Sequence, residues 1–558
     1  MRRRPFSALL SLAFFVAVAG SGCDGCGGAA PAPGAREASV ALAAVPAPTG
    51  LLAEAVLPTP DATWRTIQGT VGGVLALTAP TFSGLIGATA GAPGLSGLVE
   101  SDSPAYVVVG EGEGVHYAVA FRANEAAAKS WAGADAGTFT RSATDEEHLT
   151  IFEPVRPDGP WVGVAPGNFV VVASSRADLV RLGPYAFRTL PSRPLPKEPA
   201  LVHVTHDGAS RLAALVAGRW TDAKTDLLAK DDEQRKAHGG RAPDHGDPRA
   251  LVGAVDRWIG AWLDAARNVS GGDVTIEPIE GADRSLAFEV LLTPEDAGPA
   301  KALVTGIHAG ELRALEGAPD GALFALDVRS DAAERTATAA DLAKTAEDVF
   351  RLSAADRDAL AADLGAWADA RSDEVVLGFT GTPSRAVFLR APVKDEAVAQ
   401  KAFDRLVRRA DSASLHDLWR AALDVNNVHS ATVSAAGVGS GTLVTLDRKT
   451  EPKLGLFYTA QRGELVATGA EDAPAAAAAL LGGGKRLGDD PRVHDALGRI
   501  RGRAALVAVA RPLLASAAPR SDAAILAAGR DGDRAMLRLE ATGALLRELL
   551  RRLQAAGP

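Results

Sequence analysis

The sequence predicts an α+β fold made of two tandem pseudo-repeats, each an antiparallel sheet of β-hairpins covered by helices. One observation is local: short β-branched runs flank Gly-rich or polar turns, as in YVVVGEGEGVHYAVAF, and a helical pattern such as NEAAAKSWAG follows. Hairpins joined by tight turns pair antiparallel, because parallel strands need long crossover connections. The other observation is global, since four short segments recur in the same order in the two halves of the chain.

The recurrence is strongest between residues 107–123 and 375–391. Aligned without gaps, these two segments are identical at seven of seventeen positions. The other matched segments are VVVASS with LVATGA, ALVHVT with ALVAVA, and DRSLAFEV with DRAMLRLE, beginning at Val170 and Leu465, Ala200 and Ala505, and Asp283 and Asp533. We therefore predict a first repeat lobe over residues 51–308, with a helical insert at about 219–273, and a second lobe over 309–558.

Helices are predicted mainly outside the hairpins. Ser353 followed by Asp356 resembles a capping box at the start of one helix, and a leucine-rich helix ends the chain. In the insert of the first lobe, a third helix carries a broad apolar stripe at helical spacing. The members of that stripe are Leu251, Val255, Trp258, Ile259, Trp262, Leu263 and Ala266.

The N-terminus has the layout of a bacterial export signal. In MRRRPFSALLSLAFFVAVAGSGC, three arginines precede an apolar run that is too short to span a bilayer, and small residues then lead to Cys23. A cysteine directly after a small-residue tripeptide resembles the lipobox of bacterial lipoproteins. The resemblance implies a signal peptide over residues 1–22, acylation of Cys23, and a lipid anchor on the periplasmic or outer side of a membrane. A flexible Gly/Ala/Pro-rich tether would then extend to residue 50, with an end-to-end distance of about 25–30 Å.

The two cysteines of GSGCDGCGG leave other interpretations open. A redox C-x-x-C motif needs a strand before it and a helix after it, and a thiolate metal site needs further ligands, so both are disfavoured here. Secretion with cleavage near Cys23 is the alternative to lipidation. Once Cys23 is acylated, Cys26 is a spare thiol that could pair with another chain, be acylated itself or stay unmodified.

Composition excludes several classes of function. The formal net charge is −9, which argues against nucleic acid as a partner. Residues 27–558 contain no cysteine, so thiolate-bound metals, thiol catalysis and internal disulfides are excluded there, and we expect no cofactor. With 47% hydrophobic residues, the body has enough apolar side chains to form its own core.

Few residues stand out as site candidates. In HVTHD, His203, His206 and Asp207 are the best metal candidates, although residues three apart on a strand face opposite sides, which favours a strand-end histidine pair without a metal. Trp258 and Trp262 could form a docking face for a protein partner or lipid, or could pack against their own lobe. GEGEG at 110–114 is interpreted as a hairpin turn, because a strand follows it rather than a helix.

These observations favour a membrane-anchored cell-envelope lipoprotein that binds or scaffolds another component without enzymatic activity. No catalytic motif such as G-x-S-x-G, S-x-x-K or H-E-x-x-H occurs in the sequence. The alternatives are a carrier or sensor of a lipid or other hydrophobic ligand, and a hydrolase that uses paired carboxylates.

Overall fold

The structure is a computed structural model that describes most of the chain. The described residues are 43–89, 93–100, 103–112, 114–133, 139–142, 146–155, 159–237, 247–280, 284–381, 385–410, 425–448, 454–515 and 522–555. Cys23, Cys26 and most of the predicted tether lie outside them.

The chain divides into two compact units that are discontinuous in sequence. Unit 1 comprises Met1–Leu212, Arg267–Glu295 and Arg538–Pro558, and unit 2 comprises Ala213–Ala266 and Asp296–Leu537. The boundaries therefore interleave, whereas the sequence predicts two contiguous lobes.

Unit 1 is built on ten strands. They are β1 (Leu51–Leu57), β2 (Ala105–Gly110), β3 (His116–Arg122), β4 (Phe139–Arg141), β5 (Thr150–Pro154), β6 (Trp161–Ala165), β7 (Phe169–Ala173), β8 (Ala200–Thr205), β9 (Val269–Ile279) and β10 (Ser285–Pro294). Neighbouring strands pair antiparallel in the order β4-β5-β6-β7-β3-β2-β1-β8-β9-β10.

Unit 2 contains the next nine strands. They are β11 (Ala322–Arg329), β12 (Glu374–Thr380), β13 (Ala386–Pro392), β14 (Val425–Ala435), β15 (Gly439–Arg448), β16 (Leu454–Gln461), β17 (Glu464–Ala470), β18 (Ala504–Ala510) and β19 (Ala524–Asp531), while β20 (Arg534–Thr542) runs from unit 2 into unit 1. The antiparallel order is β14-β15-β16-β17-β13-β12-β11-β18-β19.

The two strand orders correspond one to one over nine strands. Three of the four recurring segments fall on corresponding strands: β2–β3 with β12–β13, β7 with β17, and β8 with β18. The fourth matches β10 with β20, and β20 pairs with β19 as β10 pairs with β9. The residue register of the strongest match is wrong, however. The gapless alignment equates Gly110 with Gly378. In the structure, however, the last residue before the hairpin turn is Gly110 in unit 1, opposite His116, and Thr380 in unit 2, opposite Ala386. The two turns therefore equate Gly110 with Thr380. The seven identities therefore do not occupy corresponding positions.

Helices fill the connections between strands. The described helices are α1 (Pro60–Val71), α2 (Phe82–Thr89), α3 (Glu125–Gly133), α4 (Arg176–Pro184), α5 (His206–Ala237), α6 (Pro248–Arg267), α7 (Pro299–Gly306), α8 (Arg313–Glu316), α9 (Ala332–Phe350), α10 (Ala354–Ala370), α11 (Glu396–Ala410), α12 (Ala473–Leu481), α13 (Pro491–Ile500) and α14 (Gly543–Ala555). None of the helices in the described ranges is long and apolar enough to cross a membrane.

Local sequence signals account for many of these elements. The α+β class, the antiparallel hairpins and the hairpin interpretation of GEGEG are confirmed, since residues 111–115 join β2 to β3. The capping interaction is also confirmed, because Ser353 Oγ accepts the Asp356 amide at 3.1 Å where α10 begins. Glycine is favoured at position 112 for a steric reason, because a Cβ there would lie 2.1 Å from His116 Nε2.

Candidate binding surfaces

The apolar stripe of α6 is partly exposed to solvent: Leu251, Val255, Trp258 and Trp262 are exposed, whereas its other members, Ile259, Leu263 and Ala266, are partly buried. Trp258 is 64% exposed and Trp262 is 43% exposed, and their ring centroids lie 6.1 Å apart in an edge-to-face arrangement. Trp258 and Trp262 therefore stay candidates for a docking face, because an amphipathic pattern alone does not reveal whether the chain itself covers the stripe.

Two charged residues of α6 directly precede Trp258, and only the acidic one has a partner among the described residues. Asp256 accepts hydrogen bonds from Lys224 Nζ at 2.6 Å and from Trp220 Nε1 at 2.7 Å, which lower its pKa. Arg257 is exposed, and no described residue pairs with it. The side of α6 next to Trp258 thus carries an uncompensated positive charge.

A second apolar surface lies on the sheet of unit 2, and we call it the open face. Phe324 of β11 pairs with Phe379 of β12, which pairs with Val387 of β13, and paired residues of neighbouring strands point to one side. The exposed fractions are 44% for Phe379 and 60% for Val387, and 43% for Leu377 two residues before Phe379. The rings of Phe324 and Phe379 stack at 5.8 Å. Large apolar side chains are thus contiguous and exposed on this face, a pattern that marks interaction sites.

The histidines of HVTHD bind different partners. Strand β8 ends at Thr205, and α5 begins at His206. His203 Nδ1 lies 3.0 Å from Asp273 Oδ1, a hydrogen bond that raises the pKa of His203 against the opposing effect of burial. His206 Nδ1 instead lies 2.7 Å from the Val269 carbonyl oxygen, and Asp207 is exposed. In the described ranges, no group of three or more His, Cys, Asp or Glu residues could hold a metal ion.

A polar cluster that the sequence did not predict lies beside His203. Tyr185 Oη donates to Glu54 Oε2 at 2.7 Å, and Arg193 bonds both Glu54 and Tyr185 Oη, the latter at 2.7 Å. Glu54 lies opposite His203 in the pairing of β1 with β8. Tyr185 and Glu54 are 131 residues apart, so no local pattern could have found the cluster. Its acid, phenol and guanidinium satisfy one another, which is what a structural network requires.

Unit 2 contains a buried carboxyl group of a different kind. Asp327 on β11 is completely buried, and neither of its side-chain oxygens has a hydrogen-bond partner in the described part of the chain. Burial and the neighbouring charge of Glu374 raise its pKa to about 8. Glu374 is also buried, and its Oε1 accepts the Ala314 amide at 2.8 Å. Because Asp327 has no solvent-accessible surface, a substrate cannot reach this carboxylate pair in the present conformation.

Comparison with known proteins does not extend these observations. No family model, curated protein or solved structure matches this chain.

Proposed function

We propose that this protein is a lipid-anchored component of the bacterial cell envelope that binds a protein partner without catalysing a reaction. The observation that carries the proposal is the open face, where Leu377, Phe379 and Val387 lie exposed next to one another. Burying one fully exposed side chain of this kind is favourable by about 1.5–3 kcal/mol, so a partner that covers these half-exposed side chains gains about half of that for each. Anchoring through Cys23 would hold the open face at a membrane surface.

The proposed architecture is a duplicated body whose two halves have diverged in surface. The shared strand order supports duplication more strongly than the seven identities do, because those identities are out of register with the hairpins. Recurring segments on corresponding strands add independent support.

The partner that fits the open face best is the apolar side of an amphipathic helix. In unit 1, Val107 occupies the position of Leu377 and is 6% exposed, while Val109 and Tyr117, at the positions of Phe379 and Val387, are partly buried. Helix α2 contributes to this burial, since the ring of Phe82 lies 6.1 Å from the ring of Phe121 on β3. A helix supplied by another protein could cover the open face of unit 2 in the same way.

Site-specific photocrosslinking in the native host tests this proposal. A benzophenone amino acid replaces Val387 on the open face or, as a matched control, Val155, which is 66% exposed in unit 1. We expect a discrete protein adduct from position 387 only, and its loss when Phe379→Ser is added. With Cys23→Ser, the body should leave the membrane fraction and the adduct should weaken.

Three outcomes would contradict parts of the proposal. Absence of an adduct, or identical adducts from positions 155 and 387, would remove the open face as a binding surface. A lipid adduct in place of a protein adduct would favour the carrier alternative. Retention of the Cys23→Ser body in the membrane fraction would remove the anchor.

A further inference from the structure

Helix α6 carries a second exposed apolar surface, formed by residues other than those of the open face. Helix α6 has 20 residues, which corresponds to a length of about 30 Å. Leu251, Val255, Trp258 and Trp262 recur at spacings of three and four residues, so they lie along one side of this length. A stripe of this kind on a single helix is convex, and a lipid surface can adapt to a convex helix without a preformed groove.

The residue types of the stripe also suit a lipid interface. Tryptophan combines a large apolar ring with one N–H donor and is enriched where a membrane meets water. No hydrogen-bond acceptor for the indole N–H of Trp258 or Trp262 occurs among the described residues. Both groups are therefore available to lipid carbonyl or phosphate oxygens.

Charge complementarity favours the same occupant. Lys224 and Trp220 already satisfy Asp256, so this carboxylate does not present a bare negative charge to a lipid phosphate. Arg257, directly before Trp258, has no partner in the described ranges. A free guanidinium beside an apolar stripe is able to pair with a lipid phosphate, and basic residues on the polar face are common in interfacial helices.

We infer that α6 is a second membrane contact, which lies on the lipid surface through Leu251, Val255, Trp258 and Trp262 with Arg257 at the phosphate level. This inference rests on the proposed envelope location. An acyl anchor with a tether of about 25–30 Å keeps the helix at high effective concentration near that surface. The contact orients the body on the membrane and leaves partner binding to the open face.

Vesicle binding by a chain without the acyl anchor tests the inference. The chain from residue 24 onward is mixed with vesicles of phosphatidylcholine and phosphatidylglycerol, and binding is measured by co-sedimentation. Phosphatidylcholine with brominated acyl chains, which quench nearby indoles, reports depth. We expect binding with quenching, and about ten- to hundredfold weaker partitioning for Trp258→Ala/Trp262→Ala. Trp258→Phe/Trp262→Phe should retain most of the binding, and Arg257→Gln should weaken it.

The matched control is Leu342→Ala, because Leu342 on α9 is 53% exposed and apolar but lies outside the α6 stripe. This variant should bind vesicles like the unmodified chain. Failure of the unmodified chain to bind, or equal binding by the double alanine variant, would overturn the inference. So would a double alanine variant that binds vesicles normally but loses the protein adduct at position 387. Retention of that adduct alongside loss of vesicle binding supports the inference and separates it from the proposed function.

Discussion

The hairpins β2–β3 and β12–β13 occupy the same place in the two strand orders but differ in what covers them. In the register set by the hairpin turns, Val107 on β2 corresponds to Leu377 on β12, and Val107 is 6% exposed whereas Leu377 is 43% exposed. The helices after the first strand of each unit explain part of the difference. In unit 1, the short helix α2 places Phe82 against β3. In unit 2, Trp367 of α10 and Phe403 of α11 pack against Leu389 and Ala391 of β13 but leave Val387 exposed. Strand order alone therefore does not determine how much of a sheet face becomes core.

Two buried aspartates show the same contrast between the units. Asp178 in unit 1 is 2% exposed, and its Oδ2 accepts from Ser174 Oγ and Ser175 Oγ at 2.7 Å and lies 2.9 Å from His116 Nδ1. Burial opposes its ionisation, but these hydrogen bonds outweigh burial and lower its pKa. Asp327 has no such donors, and its pKa rises to about 8. Burial of a carboxyl group thus has opposite consequences, depending on the donors around it.

The largest expected effect is a pH dependence of unit 2 that originates at Asp327. Because the folded protein holds this proton more tightly than the unfolded chain, the stabilisation is complete below pH 3.8 and is lost as the pH rises to about 8. Asp327→Asn removes the ionisation. We expect the free energy of unfolding of the unmodified chain to fall relative to that of this variant as the pH rises. Between pH 4 and pH 8 the change in favour of the variant should be about 4–6 kcal/mol. Urea unfolding monitored by hydrogen exchange in β11 measures it.

Asp178→Asn in unit 1 is the matched control for that experiment. The pKa of Asp178 is lowered, so its contribution is present above its ordinary pKa of 3.8 and is lost as the pH falls through its value in the folded state. The difference between this variant and the unmodified chain should therefore stay nearly constant between pH 4 and pH 8 and should change only below about pH 4, where the contribution of Asp178 is lost. Parallel pH profiles for the two asparagine variants would contradict the contrast between the aspartates.

A smaller effect should come from truncating one phenylalanine in each hairpin. Phe121 on β3 is 2% exposed, and Phe121→Ala should destabilise unit 1 by about 3–5 kcal/mol because it leaves a cavity in the core. Phe379 on β12 is 44% exposed, and Phe379→Ala should cost about 0.5–1.5 kcal/mol, mainly the stacking with Phe324. Denaturant midpoints of the two variants give the comparison. Equal losses would mean that the open face is covered in solution.

The sequence predicted individual hairpins and helix starts much better than the tertiary contacts that they make. Alternating residues around Gly-rich turns found β2–β3, and an oxygen-bearing cap found the start of α10, because both signals depend on neighbours within a few residues. The chain order of the recurring segments identified corresponding strands. The residue register of the strongest match, residues 107–123 with 375–391, failed because Val and Ala recur often enough in strands to produce chance identities.

Of the two candidate surfaces, the sequence predicted the residues of one but not of the other. The stripe of Trp258 and Trp262 was visible as a periodicity, but its exposure depends on which elements the rest of the chain packs nearby. Phe324, Phe379 and Val387 come from three separate strands, so the open face exists only once the pairing is known. The donors around Asp178 and their absence around Asp327 likewise depend on tertiary contacts.

The smallest expected difference concerns two serine caps, one in each unit. Ser175 Oγ accepts the Asp178 amide at 3.1 Å and also donates to the buried Asp178 carboxylate, whereas Ser353 Oγ makes the same pair of bonds to Asp356, which is only partly buried, at the start of α10. Ser175→Ala should therefore cost about 1–2 kcal/mol and Ser353→Ala about 0.5–1 kcal/mol. Hydrogen exchange of the first turn of α4 and of α10 measures the two losses separately. If Ser353→Ala lost as much stability as Ser175→Ala, the buried Asp178 carboxylate would add nothing to the cap of α4. The difference between the units in hydrogen-bond donors around a carboxyl group would then be limited to Asp327.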